Sequence, residues 1–157
     1  MPSASRRRLG RRLLAAALAS GVLAAPLAAS TAHAHSYTLK TIAVGHVYSP
    51  GMTDGGLPIY GALFNRGSEP AHLVAVTAGD GTTVRFRRVS KDGEVSFLDD
   101  ITLPPGKPVS LAPWGPHLWI TGMTPAPELG TTFPVELDFG EAGEIEVDIV
   151  VESTPSH

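Results

Sequence analysis

The segment Leu111–Met123 concentrates the side chains of this sequence that could do chemistry. Both tryptophans of the chain and two prolines surround His117 there. Proline has a fixed backbone angle and no N–H to donate to a sheet, so residues 114–116 are predicted to form a rigid loop tip. His117 then begins a strand, where its imidazole is either a hydrogen-bonded structural group or a metal ligand that needs further ligands nearby.

Two more imidazoles, His35 and His46, precede the first glycine-rich loop of the sequence. If an export signal is removed after Ala34, His35 becomes the first residue, and its amine and imidazole offer two nitrogens of the kind that suits Cu(II). Removal after Ala32 would instead expose His33, and a terminal histidine without a second ligand would only fray. His35 and His46 are eleven residues apart, so only a bend, or strands from different sheets, could bring their side chains together.

The N-terminal residues predict export. A basic head of five arginines is followed by the apolar run Leu13–Ala29 and by Ala32-His33-Ala34, which fits the small-x-small cleavage pattern of a signal peptide over residues 1–34. Ser5–Leu9 also resembles a twin-arginine export signal. Because the apolar run is too short and too rich in alanine for a membrane span, we expect a periplasmic or secreted protein that does not span the membrane after signal removal.

The mature chain is acidic and contains no cysteine. Residues 35–157 keep seven of the twelve Lys and Arg against all fifteen Asp and Glu, a formal net charge of −8, which argues against a nucleic-acid partner. Their number suits one domain, predicted over residues 35–152, with a short tail over 153–157. Without cysteine, the protein must be stable without disulfides, and zinc fingers, iron–sulfur clusters and blue-copper centres with a thiolate ligand are excluded.

The remaining pattern predicts short strands separated by turns. Phe133–Phe139 and Ile145–Val151 alternate apolar and polar residues, and a turn containing two glycines joins them. Other apolar or alternating segments that end at turn residues are Ser36–Val47, Pro58–Asn65, His72–Thr77, Thr82–Val89, Val95–Leu98, Ile101–Leu103, Val109–Leu111 and His117–Ile120. Because no apolar stripe persists at helical spacing, we predict an all-β protein, an antiparallel β-sandwich or barrel.

Four cations cluster in one segment of this acidic chain, namely Arg85, Arg87, Arg88 and Lys91. We expect them to pair with the acidic face of the last strand, which is formed by Glu144, Glu146 and Asp148. Trp114 and Trp119 are expected to pack as core and rim residues around their loop.

Segments spread over nearly the whole mature sequence share their order with one known family. They are His35–Leu39 with His46, Ala62–Gly67 followed by Pro70 and Leu73–Val74, Leu103–Gly106, Pro113–Leu118, Gly122, and the closing pair Phe133–Leu137 and Glu144–Val147. Together they resemble the periplasmic PCu(A)C-type copper chaperones. The resemblance implies a cupredoxin-like antiparallel β-sandwich, copper as the bound metal and no enzymatic activity. It also implies a copper-receiving periplasmic protein, such as an oxidase copper site, as the partner.

The resemblance also implies where copper ligands should lie. The family's pattern is a His-x-Met pair, a Met about ten residues later and a second His-x-Met about twenty residues beyond, because Cu(I) prefers thioether and imidazole ligands. On this sequence the first pair falls on Arg87 and Val89, and the middle Met falls near residues 96–98, which contain no sulfur. The second pair falls on His117 and Trp119, so only His117 keeps a ligand of the family's type.

Two functions therefore stay open at this point. In the first, copper binding persists with changed ligands: His117 is joined by Met123 or Met52, or His35 and His46 form a nitrogen-rich site that favours Cu(II). In the second, the domain has lost the metal and acts as a protein-interaction scaffold. We favour an exported protein that delivers or sequesters copper, Cu(I) or Cu(II), with His117 first among the ligands, followed by His35, His46 and Met123.

Overall fold

A computed structural model of the chain describes residues 35–153. The predicted signal peptide, residues 1–34, and residues 154–157 of the predicted tail lie outside the described residues. Both therefore stay predictions, as does the placement of the domain boundaries.

The described residues form fourteen short strands and one turn of 3-10 helix, Gly140–Ala142. The strands are β1 Tyr37–Leu39, β2 Ile42–Val44, β3 Tyr48–Ser49, β4 Leu57–Ile59, β5 Gly61–Asn65, β6 Ala71–Leu73, β7 Ala75–Thr77, β8 Thr83–Val89, β9 Val95–Leu98, β10 Ile101–Leu103, β11 Pro108–Leu111, β12 Pro116–Thr121, β13 Thr132–Asp138 and β14 Glu144–Val151. They pair in the orders β1-β2-β5-β11, β10-β6, β4-β12-β8-β9 and β3-β14-β13-β7. Among these strand pairs only β3 and β14 run parallel, so the prediction of an antiparallel all-β fold is confirmed.

The core lies between the sheets and is built from alternate residues of the strands. In the hairpin β13–β14, Val135 pairs directly with Val147, and both are buried. The residues directly before and after each of these valines face outward. The other buried apolar residues include Val44, Leu57, Ile59, Leu63, Leu73, Leu103, Leu118, Ile120, Leu137 and Ile149. Period-two alternation in the sequence therefore places one face of each long strand in a shared core.

The segment Pro58–Asn65, expected as one strand, is two strands in different sheets. The chain changes sheets at Tyr60 and Gly61, between β4 and β5. A Cβ at Gly61 would lie 2.8 Å from the carbonyl oxygen of His46 and 2.7 Å from Cγ1 of Val47, so only glycine permits this close approach. At the same point Tyr60 and Tyr48 exchange backbone hydrogen bonds of 3.0 and 2.9 Å, which fix the two tyrosines side by side.

A buried asparagine fixes the turn that follows β5. The Asn65 amide nitrogen donates to the carbonyl oxygens of Glu69, at 2.7 Å, and Leu103, at 3.2 Å. Its side-chain oxygen accepts from the Gly67 backbone N–H at 2.9 Å. Since Asn65 is 1% exposed, these bonds replace those that the amide would make with water, and they tie the turn to β10.

A row of rings between two candidate ligands

Four rings form a continuous row from His46 to His117. His46 stacks on Tyr48 with 5.5 Å between ring centroids, and Tyr48 meets Tyr60 edge-on at 5.8 Å. Tyr60 meets His117 edge-on at 5.5 Å, since these residues continue the register of β4 against β12 by one position. We call these four residues the aromatic row. Its two imidazoles lie at opposite ends with two tyrosine rings between them, so they do not meet at one point.

His117 is a buried imidazole held by the loop before its strand. The ring is 2% exposed, and its Nδ1 lies 3.1 Å from the carbonyl oxygens of both Ala112 and Gly115. The loop is itself closed by backbone hydrogen bonds from Ala112 to Pro116 and from Gly115 to Ala112. Because carbonyl oxygens can only accept, Nδ1 carries the proton and Nε2 carries the lone pair.

The Nε2 lone pair of His117 is not used by a hydrogen bond within the described residues. This arrangement, a fixed Nδ1–H and an unused Nε2 lone pair, is the usual state of a histidine that can bind a metal.

The surroundings of His117 keep its ring neutral. Burial lowers the pKa of His117, the backbone hydrogen bonds oppose this shift, and the nearby Arg87 guanidinium lowers the pKa further. Burial also raises the pKa of Tyr60, so this phenol keeps its proton near neutral pH. Neutral imidazole is the metal-binding form, but the cation of Arg87, directly across the strand pair from His117, repels any metal ion that approaches.

The other end of the aromatic row joins an imidazole to a carboxylate. The parallel pairing of β3 with β14 brings the end of the last strand beside His46, and the His46 Nε2 lies 2.6 Å from the Glu152 Oε1. Both side chains are about one third exposed. They border a cavity of about 430 Å³, which is also lined by Tyr48, Tyr60 and Trp114. One nitrogen and one oxygen donor thus meet at an accessible position.

The other two candidate ligands, His35 and Met123, are not members of the aromatic row. The His35 ring lies 6.4 Å from the Tyr37 ring, just before β1, and the β1–β2 register continued by two residues would set His35 opposite His46. Met123 follows the far end of β12 and lines a different cavity, with Phe133 and Val135. No group of three His, Cys, Asp or Glu side chains within residues 35–153 is placed to hold a metal ion.

Two positions that match other copper ligands of the family are occupied by Arg87 and Trp119, and these two side chains stack on each other. Arg87 and His117 are cross-strand partners on β8 and β12, and the Arg87 guanidinium carbon lies 4.0 Å above the Trp119 ring. Gly56 lies directly against this indole, since a Cβ there would be 2.2 Å from the ring. The donor set at these positions does not fit Cu(I), because a guanidinium cannot act as a ligand and indole offers no sulfur.

Two expectations about charge and packing are wrong. Within residues 35–153 the contacts between basic and acidic side chains under 4 Å are His46–Glu152 and His72–Asp100, so the arginines of β8 do not pair with the acidic face of β14. β8 and β14 belong to different sheets, which keeps these charges apart. Trp114 is 82% exposed and does not pack in the core, because the closed loop holds it at its tip.

Sequence reasoning missed Tyr48, Tyr60 and Glu152 as neighbours of the candidate ligands. Glu152 falls in the exposed phase of β14, together with Asp148, and looks like one more solvated acid. Its contact with His46 spans 106 residues and depends on a parallel pairing that alternation alone does not reveal. One signal in the sequence could have indicated that Tyr48 and Tyr60 pair. Each tyrosine lies next to a short strand, and a glycine-rich loop separates the two.

The fold is that of a cupredoxin-like domain of the PCuAC type. The copper-bound PCuAC domain from PmoF2 is similar over 76% of this chain and 99% of its own, with a TM-score of 0.67 and 26% identity. The apo PCuAC domain from PmoF1 is similar over 76% and 100%, with a TM-score of 0.67 and 25% identity. Apo-DR1885 from Deinococcus radiodurans, at 16% identity, a TM-score of 0.54 and coverage of 93% and 97%, supports the fold alone.

The family follows from the sequence match. Residues 28–151 match the LpqE-like family, described as "Putative lipoprotein LpqE-like", and the chain belongs to this family, which is copper-chaperone-like. No curated protein matches the chain. Within the described residues no helix has the length and apolar character needed to cross a membrane.

Proposed function

We propose that this chain is an exported, non-enzymatic copper-binding protein that delivers or sequesters copper. The observation that carries the proposal is the state of His117, whose Nδ1 is fixed by two carbonyl oxygens while its Nε2 makes no hydrogen bond to a described residue. This ring lies in a fold similar to a PCuAC domain that is copper-bound. Copper is the cargo in this proposal, and the partner is the protein that receives it in the periplasm.

The ligand set that we propose differs between the two oxidation states. For Cu(I), His117 is the first ligand. Met123 lies beyond the far end of β12, so its thioether would have to move towards His117 to complete the site. For Cu(II), His46 and Glu152 already supply nitrogen and oxygen donors, and His35 would add its imidazole and, after cleavage at Ala34, its amine. Since Arg87 opposes a cation at His117, the His46 end has the more favourable electrostatics.

The test is an anaerobic Cu(I) titration and a separate Cu(II) titration of the protein that begins at His35. We expect His117→Ala to remove most Cu(I) binding, and His46→Ala or acetylation of the amine to remove most Cu(II) binding. His72→Ala is the matched control, because His72 is an exposed imidazole hydrogen-bonded to Asp100 and lies outside the aromatic row. It should leave both affinities unchanged.

A measurement on the unmodified protein guards against misfolding of the variants. On addition of Cu(I), the Nε2 resonance of His117 should shift in nitrogen NMR spectra while Nδ1, bound to the loop carbonyls, stays nearly constant. Failure of both ions to bind, or binding that His72→Ala weakens as much as the other variants do, would rule out the proposed site.

A metal-free protein-interaction domain is the second candidate function. Its specific support is the stacking of Arg87 on Trp119 at the positions where the family places copper ligands, since this arrangement removes donors and adds a positive charge. In this case neither copper ion binds at micromolar concentration, and the outer face of β8 and β12 carries the function instead.

A further inference from the structure

The outer face of the sheet β4-β12-β8-β9 carries two stacked arginines. Arg85 and Arg87 alternate with the buried Phe86 on β8, so both side chains lie on the outer face. The guanidinium carbon of Arg85 lies 3.3 Å from the Phe97 ring centroid, and that of Arg87 lies 4.0 Å from the Trp119 ring centroid. We call this surface the arginine–aromatic face. These contacts hold both guanidinium groups against aromatic rings of the sheet before any partner arrives.

No carboxylate of the described residues forms an ion pair with the arginines of this face. None of the lysines or arginines of residues 35–153 lies within 4 Å of a carboxylate. Neither Arg85 nor Arg87 makes a side-chain hydrogen bond to a described residue, so their N–H groups are available. Arg88 and Lys91 add two more positive charges to the same hairpin, and both are exposed. Four of the seven cations of residues 35–157 thus lie in one hairpin of an acidic protein, and two of them, Arg85 and Arg87, lie on its outer face.

Exposed apolar side chains adjoin the two arginines. Phe97 is 43% exposed, and Val95, two residues earlier on the edge strand β9, is 48% exposed. Arg87 pairs with Phe97 across β8 and β9, and Val89 pairs with Val95, so these side chains share the outer face. Flat guanidinium groups with free N–H edges beside exposed aromatic and aliphatic groups are the features of a protein-binding surface with affinity for carboxylates.

We propose that the arginine–aromatic face binds an acidic segment of a partner protein. Each guanidinium can make a bidentate pair with a carboxylate without losing its stacking contact, and Phe97 and Val95 can cover an apolar side chain of the same segment. A short segment engages only the positive face, because charges beyond about 8 Å are screened at physiological ionic strength. An extended anionic surface such as a lipid bilayer would also meet the other charges of residues 35–157, whose net charge is −8, and this makes a membrane the weaker choice. This inference does not depend on copper.

The test uses the copper-free protein and two labelled decapeptides. One alternates glutamate with phenylalanine, and the other alternates glutamine with phenylalanine. We expect the protein to bind the glutamate peptide at least about tenfold more tightly, and Arg85→Gln with Arg87→Gln to weaken that binding at least about tenfold, since charge-assisted hydrogen bonds are lost. The matched control is Arg66→Gln with Lys107→Gln, which removes the same charge elsewhere and should have less than a twofold effect.

Two further arms keep the proposal falsifiable. Arg85→Lys with Arg87→Lys retains the charge but loses the planar fork, so affinity should still fall several-fold. Vesicles containing phosphatidylglycerol test the membrane alternative. The proposal is overturned if the control pair weakens peptide binding as much as the Arg85 and Arg87 pair, if both peptides bind equally, or if the vesicles bind and the glutamate peptide does not. Thermal denaturation of every variant confirms that each one is folded.

Discussion

The contact between Gly56 and Trp119 gives a sharp prediction about the arginine–aromatic face. A Cβ added at Gly56 would lie 2.2, 2.3 and 2.6 Å from three atoms of the indole ring. These distances are far inside van der Waals contact, so Gly56→Ala must displace Trp119. The Arg87 guanidinium, 4.0 Å above the same ring, must then lose its stacking partner.

The magnitude follows from the two losses. Forcing an extra carbon into a packed position costs about 1–3 kcal/mol, and the lost cation–π contact adds about 0.5–1 kcal/mol. We therefore expect Gly56→Ala to lower the free energy of unfolding by about 2 kcal/mol, which for a domain of this size lowers Tm by about 8 °C. No unusual backbone angle contributes, because the backbone of Gly56 is not in the left-handed region.

Urea denaturation followed by tryptophan fluorescence measures this change. Gly115→Ala is the matched control, because a Cβ there meets no atom within 4 Å and the backbone angle is again ordinary. It should change stability by less than about 0.5 kcal/mol. In a Trp119→Ala background, Gly56→Ala should also have little effect, since the ring it strikes is gone. Equal stability of Gly56→Ala and the unmodified protein would refute the reasoning, as would an undiminished effect without Trp119.

Three further predictions follow from the site and the core. Restoring both His-x-Met pairs with Arg87→His, Val89→Met and Trp119→Met should raise Cu(I) affinity at least about 100-fold in competition with a chromophoric chelator, and an unchanged affinity would contradict the assignment of these positions. The free energy of unfolding should fall as pH drops below about 6.5, because His117 takes up a proton more readily in the unfolded chain than in the folded one, where its pKa is lowered. The difference between the urea midpoints at pH 7 and pH 5 should therefore be smaller for His117→Gln. Asn65→Ala should cost about 2–4 kcal/mol through its lost buried hydrogen bonds, against less than about 0.5 kcal/mol for the exposed neighbour change Ser68→Ala, and equal unfolding midpoints would disprove this.

Local signals in the sequence were enough to predict the hairpins. The turn of Asp92 and Gly93 joins β8 to β9, where Gly93 has a φ of 82° and donates to the Ser90 carbonyl oxygen. Strict alternation predicted β13 and β14 to within two residues at each end. In both cases the determining information lies within a few adjacent residues, so a single sequence contains it.

The change of sheet at Tyr60 could not be predicted in the same way. Leu57 to Leu63 is an almost continuous apolar segment, so periodicity does not mark the boundary between β4, which is buried throughout, and β5, which is buried only at Leu63 and Asn65. What decides it is the approach of Val47 and the His46 carbonyl to Gly61, which is a tertiary contact. The aromatic row depends on this same crossing, and for that reason the neighbours of His46 and His117 were not visible in the sequence.

His117 and Arg87 together indicate what kind of copper site this chain can hold. The loop carbonyls preserve a neutral imidazole whose Nε2 lone pair is unused, which is the ligand form that copper needs. The cross-strand position, however, holds a permanent cation that is itself fixed on Trp119. A metal ion at His117 must therefore bind without a second protein ligand on β8 and against this charge. At the other end of the aromatic row, His46 contacts Glu152, whose carboxylate attracts a metal ion. If electrostatic attraction determines where copper binds, it should bind first at His46. In the paired titrations Cu(II) should therefore bind more tightly than Cu(I). The opposite order would mean that Arg87 moves away from His117 when the metal binds.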